Sequence, residues 1–303
     1  MVSQTKLHSL PDRFPLSCQW EITCRCNLHC VMCYTDCRNR QEFIRRELSS
    51  GEISRIMNEM ADAGTLELCL TGGEPLSRPD FFSIYEHAVR RGFLVTVFTN
   101  GTLITESEAD RFATWPPHCI EISLHGSTAE TFEQITQNQG SYQRCLRAIR
   151  LLLDRHLPVA LKATALSLNQ HDILSIKQYA ASLGSIRFKL GEELRSELDG
   201  GAGPFRYALS EEELSELNRR DPLLWEEACR RTQAELPPCR SGMQQFHIDA
   251  YGRMQLCSGN RHQSYDLRNG SFQEGFFEAL PTFACEHKKP EPSTLLQPLA
   301  HHG

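Results

Sequence analysis

Cys26-Asn27-Leu28-His29-Cys30-Val31-Met32-Cys33 places three thiols at x3 and x2 spacing. A loop of this kind can wrap one corner of an iron–sulfur cubane, each thiolate capping one iron, and leave the fourth iron without a protein ligand. The same loop, completed by Cys24, Cys37 or His29, also suits a structural zinc site with four Cys/His ligands. On spacing alone both chemistries stay open. The chain has thirteen cysteines, and five of them, Cys24, Cys26, Cys30, Cys33 and Cys37, crowd into one short stretch. Three more, Cys239, Cys257 and Cys285, are spread over the last quarter. Met1 to Pro15 lacks the apolar stretch of a signal peptide, so a cytoplasmic protein with reduced thiols is expected, and clustering there points to metal ligation. Cys18, Cys69, Cys119, Cys145 and Cys229 lie in apolar or helical surroundings and read as small buried hydrophobes.

A second chemical signature is Thr71-Gly72-Gly73-Glu74-Pro75. Two glycines allow close backbone approach to a ligand, and Glu74 offers a carboxylate to an ammonium group. Asn100, Ser123, His125 and Lys162 are further polar candidates. A satisfied turn Asn and a solvated Lys explain Asn100 and Lys162 equally well, and a lone His is more often structural than catalytic.

These residues need a frame that brings them together. Cys18 to Thr23, Leu66 to Leu70, Phe93 to Phe98, Ile120 to Leu124, Val159 to Leu166 and Ile186 to Leu190 read as six strands separated by helical stretches. Ser49 or Ser50 can cap a helix with Ile53, Ile56, Met57 and Met60 on one face, ended by Gly64. Connections of that length demand crossovers, so the sheet should be mostly parallel with helices outside it. Six units fall short of a closed eight-fold barrel, which predicts an α/β fold of the partial (β/α)6 barrel type. In such folds chemistry sits at the carboxyl ends of the strands, where the cysteine loop, Gly72-Gly73-Glu74-Pro75 and Ser123 all fall. The expected organisation is a lead-in over 1–15, the barrel over 16–190, a linker and helix over 191–231, a small cysteine-containing β-hairpin extension over 232–287, and a disordered tail over 288–303. In the extension, Gln244 to Ile248 and Gly252 to Cys257 form the hairpin, turning at Asp249-Ala250-Tyr251-Gly252.

The cysteine loop after the first strand, paired with Gly-Gly-Glu-Pro after the second, resembles the radical SAM superfamily over about Ser17 to Leu190. The resemblance implies a [4Fe–4S] cluster on Cys26, Cys30 and Cys33, with S-adenosylmethionine on the open iron. It further implies that Gly72, Gly73 and Glu74 hold the methionine amino group. Ser123 would lie near the ribose or the methionine carboxylate, and Tyr34 would meet the adenine mainly through its backbone. Many family members carry an aromatic residue just before the third cysteine, where this chain has Met32, so adenine stacking there is not expected.

Cys239, Gly252 and Cys257 are spaced like the start of the SPASM and Twitch extensions of radical SAM enzymes, but only Cys285 follows and Lys288 stands where another cysteine would. That reduced pattern implies one auxiliary Fe–S cluster on Cys239, Cys257 and Cys285, with His287, a distant cysteine or the substrate as fourth ligand. The expected activity is reductive cleavage of S-adenosylmethionine to a 5′-deoxyadenosyl radical that takes a hydrogen atom from a ribosomally made peptide. A small-molecule substrate such as a tetrapyrrole or cofactor precursor is the alternative, and a non-catalytic zinc or Fe–S scaffold is a third. The expected partners are an electron donor such as flavodoxin or ferredoxin and a separately encoded leader-peptide-binding protein, since only about 15 residues precede the first strand. A net charge of −6 spread along the chain argues against nucleic acid. No apolar run reaches the roughly 20 residues of a bilayer span.

Overall fold

The structure is a computed structural model that describes residues 13–35, 39–184, 186–233 and 239–285. In order, its elements are β1 (Ser17–Glu21), α1 (Gln41–Ile44), α2 (Ser50–Asp62), β2 (Glu67–Thr71), α3 (Phe81–Arg90), β3 (Leu94–Thr99), α4 (Glu106–Thr114), β4 (Cys119–Ser123), α5 (Ala129–Thr136) and α6 (Ser141–Leu153). Then come β5 (Val159–Thr164), α7 (Ile173–Ser182), β6 (Arg187–Gly191), α8 (Glu211–Arg219), α9 (Pro222–Gln233), β7 (Gln245–Ile248), β8 (Arg253–Gln255) and β9 (Tyr265–Asp266). The strands form one sheet in the order β6-β5-β4-β3-β2-β1-β7-β8-β9. Pairs from β6 through β1 to β7 are parallel, and β7-β8 and β8-β9 are antiparallel. The sheet stays open, with β6 at one edge and β9 at the other.

The expected six parallel strands are present, and the partial barrel stands. The hairpin is also present, but it is built into the main sheet. β7 lies beside β1 with Ser17 opposite Gln245 and Trp20 opposite Ile248. Its turn is fixed by Asp249, whose carboxylate accepts from Tyr251 N at 2.9 Å and from Arg253 N at 3.0 Å. Gly252 supplies the positive φ of +85° that this turn requires.

Strand side chains alternate between two environments. One set, with Cys18, Trp20, Leu68, Leu70, Val97 and Ile120, is buried against the helices, each large side chain worth roughly 1.5–3 kcal/mol. The other set faces the concave side and is polar. There Lys162 and Lys189 are neighbours across β5 and β6, both near the Phe98 ring, and both reach the buried Glu121. The concave surface of this barrel is therefore a place for ligand rather than core. Cys69 and Cys119 are on this side, beside Glu121; Cys18 and Cys145 are buried, while Cys69 and Cys229 are only partly so.

Helix ends follow local chemistry. Ser49 and Glu52 form a capping box at the start of α2, whose buried face is Ile53, Ile56, Met57 and Met60. The stretch expected as one helix from about Ser210 to Arg231 is two. Asp221 accepts from Leu223 N and Leu224 N at 3.0 Å each, and Pro222 suits a first turn because it has no N–H to satisfy. The 191–209 segment, expected as a linker, is folded: Glu197 N bonds Gly201 O at 2.9 Å, and Ser167 N bonds Tyr207 O at 3.0 Å. Its glycines make a turn. No helix among the described residues is long and apolar enough to cross a membrane. The expected disordered tail, His287 and Cys37 lie outside the described residues.

Candidate cluster and cofactor site

The cysteine loop leaves β1 at Glu21 and is fixed at its root by buried ionic groups. Glu47 accepts from Thr23 Oγ1 at 2.7 Å and from Cys24 N at 2.8 Å, and pairs with Arg25 at 3.4 Å. The buried Arg78 donates to Ile22 O and to Leu48 O at 2.7 Å each while holding Asp80. Further along, His29 N and Val31 N donate to Thr136 O and Ile135 O at 3.0 and 2.9 Å, so the loop satisfies carbonyls at the end of α5. Asn27 is held through both ends of its amide. It donates to Thr102 Oγ1 at 2.7 Å and accepts from Asn100 Nδ2 at 2.9 Å.

Gly72 and Gly73 serve this loop directly. A Cβ on Gly72 would stand 2.3 Å from Thr23 O, and one on Gly73 would stand 2.3 Å from Arg25 O. The space that they leave is filled by backbone bonds, Gly73 N to Thr23 O at 2.9 Å and Glu74 N to Arg25 O at 2.7 Å. The close approach that the glycines permit is thus to the chain's own cysteine loop.

Glu74 is fully buried, and its carboxylate accepts from Thr99 Oγ1 and Asn100 N at 2.7 Å each and from Leu76 N at 3.1 Å. The side chain ties β2 to β3, and what this motif turns toward the loop is backbone. Burial pushes the Glu74 carboxyl up to about 7, against the pull of those three donors. A carboxyl raised in the folded state contributes stability that is present below its unfolded value of about 4.5 and is lost as pH rises through about 7. Thermal melts of the apoprotein should show this: Glu74→Gln is expected to flatten the loss of melting temperature between pH 5 and pH 7.5 relative to wild type. Parallel wild-type and variant curves over that range would refute it.

Cys30 lies between Cys26 and Cys33. Burial pushes its thiol well above the ordinary range, and the neighbouring Cys33 and Cys26 push it the same way. Leu28 N donates toward Cys26 Sγ at 3.5 Å, and Cys33 Sγ meets Thr35 Oγ1 at 3.0 Å. Among the described residues no three His, Cys, Asp or Glu side chains converge on one metal-ion position. A pocket of about 790 Å³ opens beside the loop, with Cys30, Cys33, Glu197, Arg206 and Tyr207 on its wall, large enough for a cluster and a nucleoside-sized ligand. The donor set and the room beside it fit a cubane with an exposed iron.

Of the other expected residues, Ser123 ends β4 in the rung of Lys162, and its hydroxyl has no hydrogen-bond partner among the described residues. Tyr34 is engaged as a side chain: its hydroxyl donates to Glu21 Oε1 at 2.8 Å. Its carbonyl accepts from Leu198 N at 3.0 Å. Asn100 is a satisfied turn residue, its Oδ1 accepting from Thr102 N and Oγ1. His125 is buried and accepts from Thr164 N at 3.3 Å; burial, with Lys162 nearby, pushes it down to about 4, so it stays neutral at pH 7. Cys239, Cys257 and Cys285 flank the hairpin. Asn260, bonded to Cys257 O through its N–H at 3.2 Å, holds Ala284 O at 3.1 Å and so draws the Cys285 segment toward Cys257. Sequence reasoning missed Glu21, Glu47, Arg78 and Arg261, whose partners are distant in sequence and leave no local pattern.

An open parallel barrel with a three-thiol loop at the carboxyl end of its first strand, glycines anchoring that loop, and a cavity beside the thiols defines a class of iron–sulfur enzyme framework. Residues 20–180 match the radical SAM superfamily, and the chain belongs to that family. Its members use a [4Fe–4S] cluster and S-adenosylmethionine. Among curated proteins the chain is similar to the AdoMet-dependent heme synthase of Methanosarcina barkeri, 31% identical over 56% of this chain and 48% of that one. It is also similar to the PqqA peptide cyclase of Granulibacter bethesdensis, 28% identical over 58% of this chain and 46% of that one. The chain spans about half the length of these relatives. Among solved structures, Streptococcus suis SuiB bound to S-adenosylmethionine superposes with a TM-score of 0.71 at 16% identity, over 88% of this chain and 67% of that one. That likeness is one of fold.

Proposed function

We propose that this chain cleaves S-adenosylmethionine reductively at a [4Fe–4S] cluster held by Cys26, Cys30 and Cys33. The observation that carries this is the three-thiol loop, fixed at the end of β1 and walling a cavity of about 790 Å³. One electron delivered to the sulfonium would break its bond to the ribose carbon, releasing methionine and a 5′-deoxyadenosyl radical that takes hydrogen from substrate. The chain's own residues hold and orient. Backbone at Gly72, Gly73 and Glu74 would hold the methionine amino group, Ser123 would offer a hydroxyl to the ribose or carboxylate, and Tyr34 would border the adenine.

The substrate reading is a ribosomally made peptide, cross-linked or oxidised. Support comes from the similarity to a PqqA peptide cyclase and from the fold shared with SuiB, which has been seen bound to its precursor peptide SuiA. A second reading, a carboxylate-bearing small molecule such as a tetrapyrrole, is favoured by the heme synthase similarity and by the Lys162–Lys189 pair. Both lysines share the single carboxylate of Glu121, so this side-chain cluster carries one positive charge in excess. Cys239, Cys257 and Cys285 would carry one auxiliary cluster. A flavodoxin or ferredoxin would supply electrons, a separate protein would present the peptide leader, and the setting would be cytoplasmic.

The test is anaerobic reconstitution with iron and sulfide, followed by dithionite and S-adenosylmethionine and an assay for 5′-deoxyadenosine. Accumulation of 5′-deoxyadenosine is the expected result. A protein shown to carry its cluster that forms none would overturn the reading. Mass analysis of candidate peptides and porphyrins then separates the two substrate classes.

A further inference from the structure

The most heavily bonded polar group of the concave face that the proposed chemistry does not use is Glu21. It is buried at the end of β1, directly before the cysteine loop. Arg261, from the segment between β8 and β9, binds it bidentately, Nη1 to Oε2 at 2.9 Å and Nη2 to Oε1 at 2.5 Å. Tyr34 donates its hydroxyl to Oε1 at 2.8 Å, and His247 Nε2 stands 3.5 Å from the same oxygen. Burial alone would raise the Glu21 carboxyl, but His247 and Arg261 beside it hold it well below the usual carboxylate range.

Arg261 is itself held, donating from Nε to Ser258 O at 2.8 Å. Arg195 donates to Ser258 Oγ at 2.5 Å, and the two guanidiniums lie 5.9 and 5.5 Å from the Tyr34 ring centroid. Tyr34 adjoins Cys33 by a peptide bond. Ser258 adjoins Cys257. An unbroken chain of charge-assisted bonds therefore runs from the hairpin extension through Arg261 and Glu21 to the residue beside the third thiol. Bidentate Arg–carboxylate pairs fix orientation as well as position, and breaking one that is buried leaves an uncompensated charge.

From this geometry we infer that Arg261 and Glu21 are positioning residues for the cluster. They act through Tyr34 to set the Cys33 corner, and Arg261, with Arg195 beside it, brings two guanidiniums to the Tyr34 ring next to the cluster loop, which would make the cluster easier to reduce. The inference rests on Cys33 being a ligand. It makes the extension a working part of the first cluster site whether or not an auxiliary cluster is present.

The test uses the reconstituted full chain as wild type, Arg261→Gln, Arg261→Lys and Tyr34→Phe. It reads the midpoint potential, the change that S-adenosylmethionine causes in the EPR spectrum of the reduced cluster, and iron retention under chelator challenge. Outer-sphere partners of metal ligands typically contribute about 10–100-fold to affinity. Arg261→Gln is expected to lose iron faster by a factor in that range and to move the potential to a more negative value. Arg261→Lys, keeping the charge but not the fork, should restore the potential while the EPR change stays abnormal. Tyr34→Phe, which removes one hydroxyl and leaves Glu21 paired with Arg261, should alter the EPR change with little loss of melting temperature. If Arg261→Gln fails to fold, the lysine and phenylalanine variants decide on the same readouts. Wild-type potential and EPR response in the variants that fold would overturn the inference. Absence of the S-adenosylmethionine response from wild type itself would instead sink the functional reading on which it rests.

Discussion

Reconstituted Cys30→Ala protein, given dithionite and S-adenosylmethionine, should form no 5′-deoxyadenosine above the enzyme-free background. Wild type beside it should form the product readily. Cys30 is the middle of the three proposed ligands, and both other thiols lie near enough to raise its pKa after burial has done so. Removing it would leave a cubane held at only two of its three thiolate corners. Changes outside the coordination sphere already cost about 10–100-fold, so loss of a ligand should exceed 100-fold. The fold should survive, because the loop is held by its backbone: the amides of His29 and Val31 stay bonded to the end of α5. A melting temperature close to that of wild-type apoprotein, with iron lost, is the full expected result. Normal product from this variant would exclude Cys30 as a ligand.

Gly73→Ala should lose the cluster by a different route. The added methyl would stand 2.3 Å from Arg25 O and 3.0 Å from Cys24 O, both backbone atoms that cannot swing aside. Relief requires the loop to lift away, which breaks Glu74 N to Arg25 O and Gly73 N to Thr23 O. Each such bond is worth about 1 kcal/mol net, and residual strain adds to it, so a loss of about 2–4 kcal/mol is expected. For a chain of this size that is a fall of roughly 3–6 °C in melting temperature. Iron binding should fall with it, since Cys26 follows Arg25 directly. Gly51→Ala is the control: Gly51 lies in α2 with nothing within 4 Å of an added Cβ, and Ala there should be neutral or stabilising by about 0.5–1 kcal/mol. If Gly73→Ala keeps both its iron and its melting temperature, the glycines are not needed for the loop's approach.

What the sequence made legible was set by range. α2 was readable in detail because its cap, its buried stripe and its Gly64 stop are all local. The six parallel strands followed from their spacing, and the cysteine loop stood out because its thiols are three and two residues apart. Glu74 was recognisable as part of a motif, but the direction of its carboxylate was not. Only the fold reveals that Thr99 and Asn100 arrive from β3 to engage it. The 191–209 segment misled because glycine looks the same in a tight turn as in a linker. Glu21, Glu47, Arg78 and Arg261 were silent, since each gains its meaning from a partner on another element. The hairpin was foreseen, yet no alternation of side chains could say which strand it would join.

That choice of neighbour bears on how the protein is made. β1 leaves the ribosome well before its second flank, β7, since Ser17 lies opposite Gln245. Until then β1 has a bare rim of amides and carbonyls, and Glu21 lacks both His247 and Arg261. Domains assemble as their last partners emerge, and an unpaired rim invites pairing with another chain. Loading with iron and sulfide should therefore wait until β7 has been made, and products truncated before β7 should aggregate rather than accumulate as shorter enzymes.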